Sequence, residues 1–92
     1  MLKIERSANG EVRFTLSGRV GSAHVAELQR LIDAESAGHR PIVLDLEDVE
    51  LVDREAVSFL ARCEASGIRL ENCPAYVREW IRHEVDETGK DD

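Results

Sequence analysis

Two adjoining stretches decide the fold: residues 41–48 read P-I-V-L-D-L-E-D, and residues 51–60 read L-V-D-R-E-A-V-S-F-L. The first is a β-branched and leucine-rich run behind a proline, which predicts a buried strand over 42–46. The second predicts a helix from Asp53 to about Ala65, because apolar residues recur there at three- and four-residue spacing. A turn from a strand into a helix presents backbone N–H groups at the rim of a sheet, where sites are common.

Two alternating segments begin the chain. Residues 2–7 read L-K-I-E-R-S and residues 11–17 read E-V-R-F-T-L-S. Asn9-Gly10 lies between them, and this dipeptide is the strongest short signal for a hairpin. The sequence therefore predicts two antiparallel strands at the start of the domain.

The period changes after the hairpin. From Ser22 the apolar residues recur at helical spacing, which predicts a helix with Ser22 as its N-cap and Gly38 near its end. Residues 68–71 are predicted as a fourth, short strand, and Asn72-Cys73-Pro74 as a helix start with proline at the first position. The apolar face of this last helix consists of Val77, Trp80 and Ile81. The predicted order is β-β-α-β-α-β-α.

The strand residues divide into one apolar and one charged face. Alternation places these residues on the apolar face: Leu2, Ile4, Val12, Phe14, Leu16, Ile42, Leu44, Leu46, Ile68 and Leu70. The opposite face carries Lys3, Glu5, Arg13, Thr15, Val43, Asp45, Arg69 and Glu71. A sheet covered on both faces would show continuous apolar runs instead. We therefore predict an α/β fold of α+β-like character: a mixed four-stranded sheet with its helices mainly on one face, right-handed crossovers and a largely wet second face.

Composition and charge restrict the possible partners. The formal net charge is −7, and residues 84–92 carry five carboxylates against Lys90. We interpret 1–83 as a single domain and 84–92 as an acidic, disordered tail. No basic stripe is present, which argues against nucleic acid as a partner, and no apolar run is long enough for membrane insertion. We expect a cytoplasmic protein with Cys63 and Cys73 reduced, without a metal site or cofactor.

Three stretches along residues 2–82 share their pattern with one known family. Residues 16–20, L-S-G-R-V, and the helix after them resemble its L-x-G-x-L-D turn and first helix. Residues 43–46, V-L-D-L, followed by 52–53, V-D, resemble its central strand and the approach to a D-S-S-G loop. Residues 70–74, L-E-N-C-P, resemble its L-x-N-x-P segment. The chain thus resembles a STAS domain, the fold of bacterial anti-sigma-factor antagonists.

The chain departs from the family pattern at the phosphorylation loop. In regulated members the second serine of D-S-S-G is phosphorylated, and the turn after the second strand carries an aspartate. Here the four loop positions are Asp53, Arg54, Glu55 and Ala56, and the turn has Gly21. The resemblance therefore implies a short member that lacks the phosphoacceptor serine, with Glu55 at the degenerate phosphosite.

The resemblance also implies a partner-binding edge built from these two turns. Its predicted residues are Val20, Gly21, Ser22, His24, Asp53, Arg54, Glu55 and Ala56. Three interpretations of the loop stay open. Asp53 and Glu55 start a helix and nothing more. Alternatively, Asp53, Arg54 and Glu55 form a fixed recognition patch in which Arg54 pairs with a carboxylate of the partner. In the third interpretation, Glu55 partly mimics a phosphoserine.

The expected function is a non-catalytic, cytoplasmic protein-interaction module of signalling and transcription regulation, which binds an anti-sigma factor or kinase-like partner. The alternative is a STAS-type accessory subunit docked on the ATPase of a lipid (ABC) transporter. Enzyme motifs such as a glycine-rich phosphate loop or G-x-S-x-G are absent. Asp45 and Asp53 do not suit an acid/base pair, because alternation sends Asp45 to the wet face while Asp53 lies beyond the end of the strand.

Overall fold

A computed structural model describes the backbone of residues 2–38 and 40–90 and the side chains of this range through residue 83. Its strands are β1 (Leu2–Ala8), β2 (Val12–Val20), β3 (Ile42–Val52) and β4 (Arg69–Glu71). Its helices are α1 (Ser22–Ser36), α2 (Arg54–Ala65) and α3 (Ala75–Lys90). The predicted order of elements is confirmed.

The four strands form one mixed sheet in the order β1-β2-β3-β4. β1 and β2 are antiparallel and joined through Asn9 and Gly10, with Gly10 at a φ of 83° that suits glycine. β3 adds to β2, and β4 to β3, in parallel. Each parallel addition needs a crossover, which α1 and α2 provide.

The core lies between one face of the sheet and all three helices. Phe14 and Leu44 of the sheet are fully buried with Leu28 of α1, Phe59 of α2 and Val77 of α3. This arrangement confirms that the helices cover one face. Trp80, predicted in the apolar face of α3, is only partly buried at the margin of the core.

Cys63 of α2 is buried, as expected of a small apolar residue. Burial raises the pKa of its thiol to about 11, so the thiolate is rare at neutral pH. Cys73 is partly buried, and both thiols are free.

β2 and β3 run further than the sequence predicts, to Val20 and Val52 instead of 17 and 46. The reason is two bulges on β3. Thr15 pairs with Asp45 but Ser17 with Asp48, and Gly18 pairs with Val49 but Arg19 with Leu51. Each step inserts one extra β3 residue, Glu47 and then Glu50, so the alternation of side chains is broken while the strand continues.

Val43 corrects the prediction of a wet second face, because it is 1% exposed. It lies in register between Arg13 on β2 and Arg69 on β4. Arg13 Nη2 donates to Glu71 Oε1 of β4 at 2.7 Å, so the arginine side chain must cross β3 to reach it. The charged residues of this face therefore cover Val43 with their stems while their charges stay at the surface.

The helix beginnings differ from the prediction in two places. α1 begins at Ser22 with Gly21 as its N-cap, so Ser22 is the first helical residue and not the cap. α3 begins at Ala75, because the Pro74 carbonyl accepts the first helical bonds from Val77 and Arg78. α3 continues to Lys90, and the domain boundary at 83 stays a prediction. The side chains after 83 and residues 91–92 lie outside the described residues, so a disordered tail stays a prediction.

No described helix combines the length with the apolar character that a bilayer span requires.

Candidate functional site

The two predicted turns meet at one edge of the sheet. β2 and β3 end side by side, with Val20 paired to Val52. The Asp53 N–H then donates to the Val20 carbonyl at 3.2 Å. Gly21 and Asp53 are therefore neighbours, and α1 and α2 begin next to each other.

One carboxylate connects the beginnings of the two helices. Asp53 Oδ1 accepts from the Ala56 N–H of α2 at 2.9 Å, and Asp53 Oδ2 accepts from the Ser22 N–H of α1 at 2.8 Å. The first N–H groups of a helix have no partner within it, and capping side chains supply one. Asp53 does so for its own helix and for one that begins 31 residues earlier.

These bonds stabilise the ionised form of Asp53. Donation from the Ala56 N–H, followed by that from Ser22, lowers the pKa of the carboxyl, and the Glu55 N–H acts in the same direction. Burial opposes them without reversing the shift. The site therefore keeps a negative charge on Asp53 well into the acidic range.

The lowered pKa predicts how stability depends on pH. A carboxyl whose pKa is lower in the folded state stabilises the fold above its unfolded value, about 3.9 for aspartate, and loses this effect as the pH falls through the folded pKa. We expect Asp53→Asn to lower the free energy of unfolding fully at pH 7. The difference from wild type should shrink as the pH falls below the unfolded value, and should be smallest once the pH lies below the folded pKa, where the wild-type carboxyl is protonated too. Urea denaturation of both proteins from pH 7 to pH 3 measures this, and a difference that does not change with pH would contradict it.

Gly21 is packed too closely for a side chain without adjustment. A Cβ atom there would lie 3.3 Å from Asp53 Oδ2 and 4.0 Å from His24 Nδ1. The Gly21 N–H also donates to His24 Nδ1 at 3.2 Å, so His24 closes the first turn of α1 from its side chain. Regulated STAS domains carry an aspartate at the turn where this chain has Gly21. An aspartate at this position would bring its carboxylate close to that of Asp53, which already joins the two helices.

The predicted edge residues do not all reach the surface. Ser22, Asp53, Arg54 and Glu55 are exposed, while Gly21 and His24 are half-buried. Val20 and Ala56, in contrast, are 1% and 0% exposed. Their side chains belong to the core and could not contact a partner directly, while the partner-binding set as a whole stays a prediction.

Leu51 and Arg19 were missed from the sequence. They pair across β2 and β3, and Leu51 is 53% exposed. Both line a shallow depression of about 270 Å³, which reaches Gly21, His24 and Asp53. An exposed leucine beside a polar turn is a useful signal, but it becomes visible only once the second bulge turns Leu51 outward.

Asp45 belongs to a different part of the molecule. Burial raises the pKa of its carboxyl, but hydrogen bonds from Asn72 and the Glu47 N–H, together with Arg13, lower it overall. Its oxygens accept from the Arg13 guanidinium at 3.1 Å and from the Asn72 amide at 3.1 Å. Asp45 is thus a structural carboxylate of the charged face. In the part of the chain that the structure describes, no three His, Cys, Asp or Glu side chains converge as a metal site would require.

Comparison with known proteins places this geometry in a family. A family model described as "Mlab, STAS domain" matches residues 4–83. No curated protein matches the chain in sequence. Among solved structures, the unphosphorylated anti-sigma factor antagonist SpoIIAA aligns with a TM-score of 0.64 at 22% identity, over 86% of this chain and 79% of that one.

Two further structures are similar in fold. One, a crystal structure of Mglu, aligns with a TM-score of 0.59 at 23% identity and covers 79% of this chain, which spans only 19% of that protein. The other is an uncharacterized protein with a SpoIIAA-like fold from Shewanella loihica PV-4, with a TM-score of 0.51 at 15% identity over 72% of this chain and 56% of that one. At these identities the likeness concerns the fold. With the family match over most of its length, the chain belongs to the STAS domain family.

Proposed function

We propose that this STAS domain is a non-catalytic protein-interaction module of the anti-sigma-antagonist type, which binds its partner without a serine phosphorylation switch. Its binding edge consists of the beginnings of α1 and α2, from Gly21 to His24 and from Asp53 to Glu55. The proposal rests on the position and exposure of Glu55. It is exposed in the first turn of α2, at the position where regulated relatives carry the phosphorylated serine.

The cap of α2 bears on the three interpretations of this loop. Asp53 provides it, because its carboxylate accepts a hydrogen bond from the Ala56 N–H. Glu55 adds favourable charge near the helix N-terminus, worth some tenths of a kcal/mol. The start of the helix therefore does not require Arg54 or Glu55, and a fixed recognition patch is the interpretation that we favour for them.

The charge of the edge also differs from that of a phosphorylated relative. Glutamate contributes one negative charge and two oxygens, against about −1.5 to −2 and three oxygens for phosphoserine. Glu55 would thus hold the edge in one intermediate state that no kinase or phosphatase changes. Regulation would come from the amount of the protein, from phosphorylation of its partner or from oligomerisation. The partner would be an anti-sigma factor or a kinase-like protein, and the complex would form in the bacterial cytoplasm.

An affinity pull-down from the native host tests the edge. Wild type, Arg54→Ala and Glu55→Ser are compared, with Glu27→Ser on the exposed side of α1 as the matched control. We expect Arg54→Ala and Glu55→Ser each to reduce the captured partner about tenfold, as loss of a charged contact in an interface does, while Glu27→Ser captures it like wild type. Unchanged partners for both loop variants would make the loop a helix start only.

A kinase assay tests the missing switch. With the host's kinase and ATP, the wild-type protein should remain unphosphorylated, and Glu55→Ser should gain one phosphate at residue 55. Stoichiometric phosphate on Ser22 or Ser58 of the wild type would overturn the proposal.

A second candidate is the accessory subunit of a lipid-transporter ATPase. The fixed charge of Glu55 favours it as well, because a docking loop that cannot be phosphorylated suits a subunit that stays assembled. In that case the pull-down captures a transporter ATPase in place of an anti-sigma factor, and deletion of the protein weakens the transporter complex.

A further inference from the structure

One edge of β3 has no partner strand over most of its length among the residues that the structure describes. β4 pairs with it only from Val43 to Asp45, although β3 continues to Val52. Within residues 2–38 and 40–90, no strand pairs with residues 46–52 on the side of β4. Such an edge presents backbone donors and acceptors that can pair with another extended chain.

Side chains occupy two backbone groups along this edge, one at each bulge. Asp45 Oδ1 accepts from the Glu47 N–H at 3.0 Å. Asn72, the residue after β4, donates its side-chain amide to the same oxygen. Further along, the Tyr76 hydroxyl of α3 donates to the Glu50 carbonyl at 3.0 Å. In both bonds the partner of the backbone group is a side chain. An incoming strand can displace a side chain more readily than it could displace a strand already paired at this edge.

The edge is also strongly acidic. Glu47, Asp48 and Glu50 are all exposed, and residues 46–52 contain no lysine, arginine or histidine. Two copies of this segment would oppose carboxylates, which disfavours pairing between copies. The same repulsion excludes the chain's own residues 84–92, which carry five carboxylates. An exposed apolar side chain, Leu51, completes the segment.

We propose that residues 47–51 form a second interaction surface, which binds an extended, lysine- or arginine-bearing segment of a partner protein by strand addition to β3. The main chain of that segment would pair with the free edge and its basic side chains with Glu47, Asp48 and Glu50, while an apolar side chain packs on Leu51. This mode of recognition takes affinity from backbone hydrogen bonds and specificity from alternate side chains. The proposal does not depend on the function proposed for the edge at Gly21 and Asp53.

Tyr76 competes with this binding. Its hydroxyl holds the Glu50 carbonyl that an incoming N–H would use, so the segment must displace it. Tyr76→Phe removes the competing donor and keeps the ring. It should tighten binding by about threefold to tenfold, the worth of one hydrogen bond. A purely electrostatic encounter would not respond to this change.

Titration with two peptides, followed by backbone amide NMR shifts, tests the proposal. The probe is a capped heptapeptide alternating lysine and valine. Its control has the same lysines with two valines replaced by proline, which cannot donate to a strand. We expect the shifts to centre on residues 47–51 and the proline peptide to bind at least about tenfold more weakly.

Matched charge variants complete the test. Glu47→Gln/Asp48→Asn/Glu50→Gln should weaken binding of the lysine–valine peptide about tenfold or more. Glu5→Gln/Glu27→Gln/Glu79→Gln, which removes three exposed carboxylates elsewhere, should change it by less than about twofold. Equal binding of both peptides, equal weakening by both triple variants, or no effect of Tyr76→Phe would overturn the proposal. The proposal would also be overturned if the amide shifts of residues 47–51 changed with protein concentration in the absence of peptide, because a second copy of the chain would then occupy the edge of β3.

Discussion

Asp53→Ala is expected to lower the free energy of unfolding by about 2 kcal/mol, which is large for an exposed side chain. The reason is that one substitution removes two caps. The N–H groups of Ser22 and Ala56 both lose their carboxylate partner, and a lost cap costs about 0.5–2 kcal/mol each, less where water can replace it. Urea denaturation measures the change as a lower midpoint at an unchanged slope.

Two controls separate the double cap from an ordinary surface effect. Asp53→Asn keeps one acceptor oxygen, so it should lose about half as much as alanine. Asp33→Ala removes a carboxylate that accepts from the Gln29 amide on the surface of α1, and should cost less than about 0.5 kcal/mol. Hydrogen exchange should accelerate at Ser22 and Ala56 together in Asp53→Ala. If only Ala56 responds, the connection between the helices is not formed in solution.

Phe59→Ala is expected to have a still larger effect, a loss of about 3–5 kcal/mol. Phe59 is 0% exposed in α2, between the sheet and the other helices, so its removal leaves a cavity. Domains of this size are stable by about 5–15 kcal/mol in total. Tm should fall by roughly 15–30 °C. If the free energy of unfolding of the wild type lies near about 5 kcal/mol, the variant should be partly unfolded already at room temperature.

The matched control for Phe59 is Leu51→Ala. It also truncates a large apolar side chain, but Leu51 is 53% exposed, so the free energy of unfolding should change by no more than about 0.5 kcal/mol. Thermal and urea denaturation of both variants make the comparison. A loss in Leu51→Ala close to that in Phe59→Ala would mean that Leu51 is buried in solution, by packing or by association.

Asp53→Ala and Leu51→Ala also test two different parts of the proposed binding surface. Asp53→Ala should impair partner capture at Gly21 and Asp53 by loosening the relative position of α1 and α2. Leu51→Ala leaves that position intact and removes an apolar contact that the depression and the β3 edge share. Capture that survives Leu51→Ala but not Asp53→Ala would locate the main interface on the helix beginnings.

Most of the architecture followed from short-range patterns. Asn9-Gly10 indicated the hairpin, alternation assigned the apolar face, and the four-residue spacing after Asp53 indicated α2. These signals act within a few residues, and each agrees with the tertiary structure. The spatial order β1-β2-β3-β4 is a finding of the structure, and this addition of strands in one direction places both crossover helices on the same face.

The charged face shows why part of the pattern was misleading. Alternation along β3 treats Val43 as exposed because it lies between Ile42 and Leu44, which face the core, and therefore shares a face with Asp45. Its burial depends on Arg13 reaching across β3 to Glu71, a contact between residues 58 positions apart. No local pattern predicts which long side chain will cover which strand.

Local patterns in the chain indicated the order of elements, the single apolar face and the helix that starts at Asp53. Contacts between distant segments make Asp53 cap α1 as well, bury Val20 and Ala56 in the core, and leave Leu51 and the edge of β3 exposed. Helix and strand periodicity arises from backbone geometry within a segment, so it is legible in the chain. The bulges of β3 and the partners of Asp53 depend on how distant strands pair, and that register is set by packing across the whole domain.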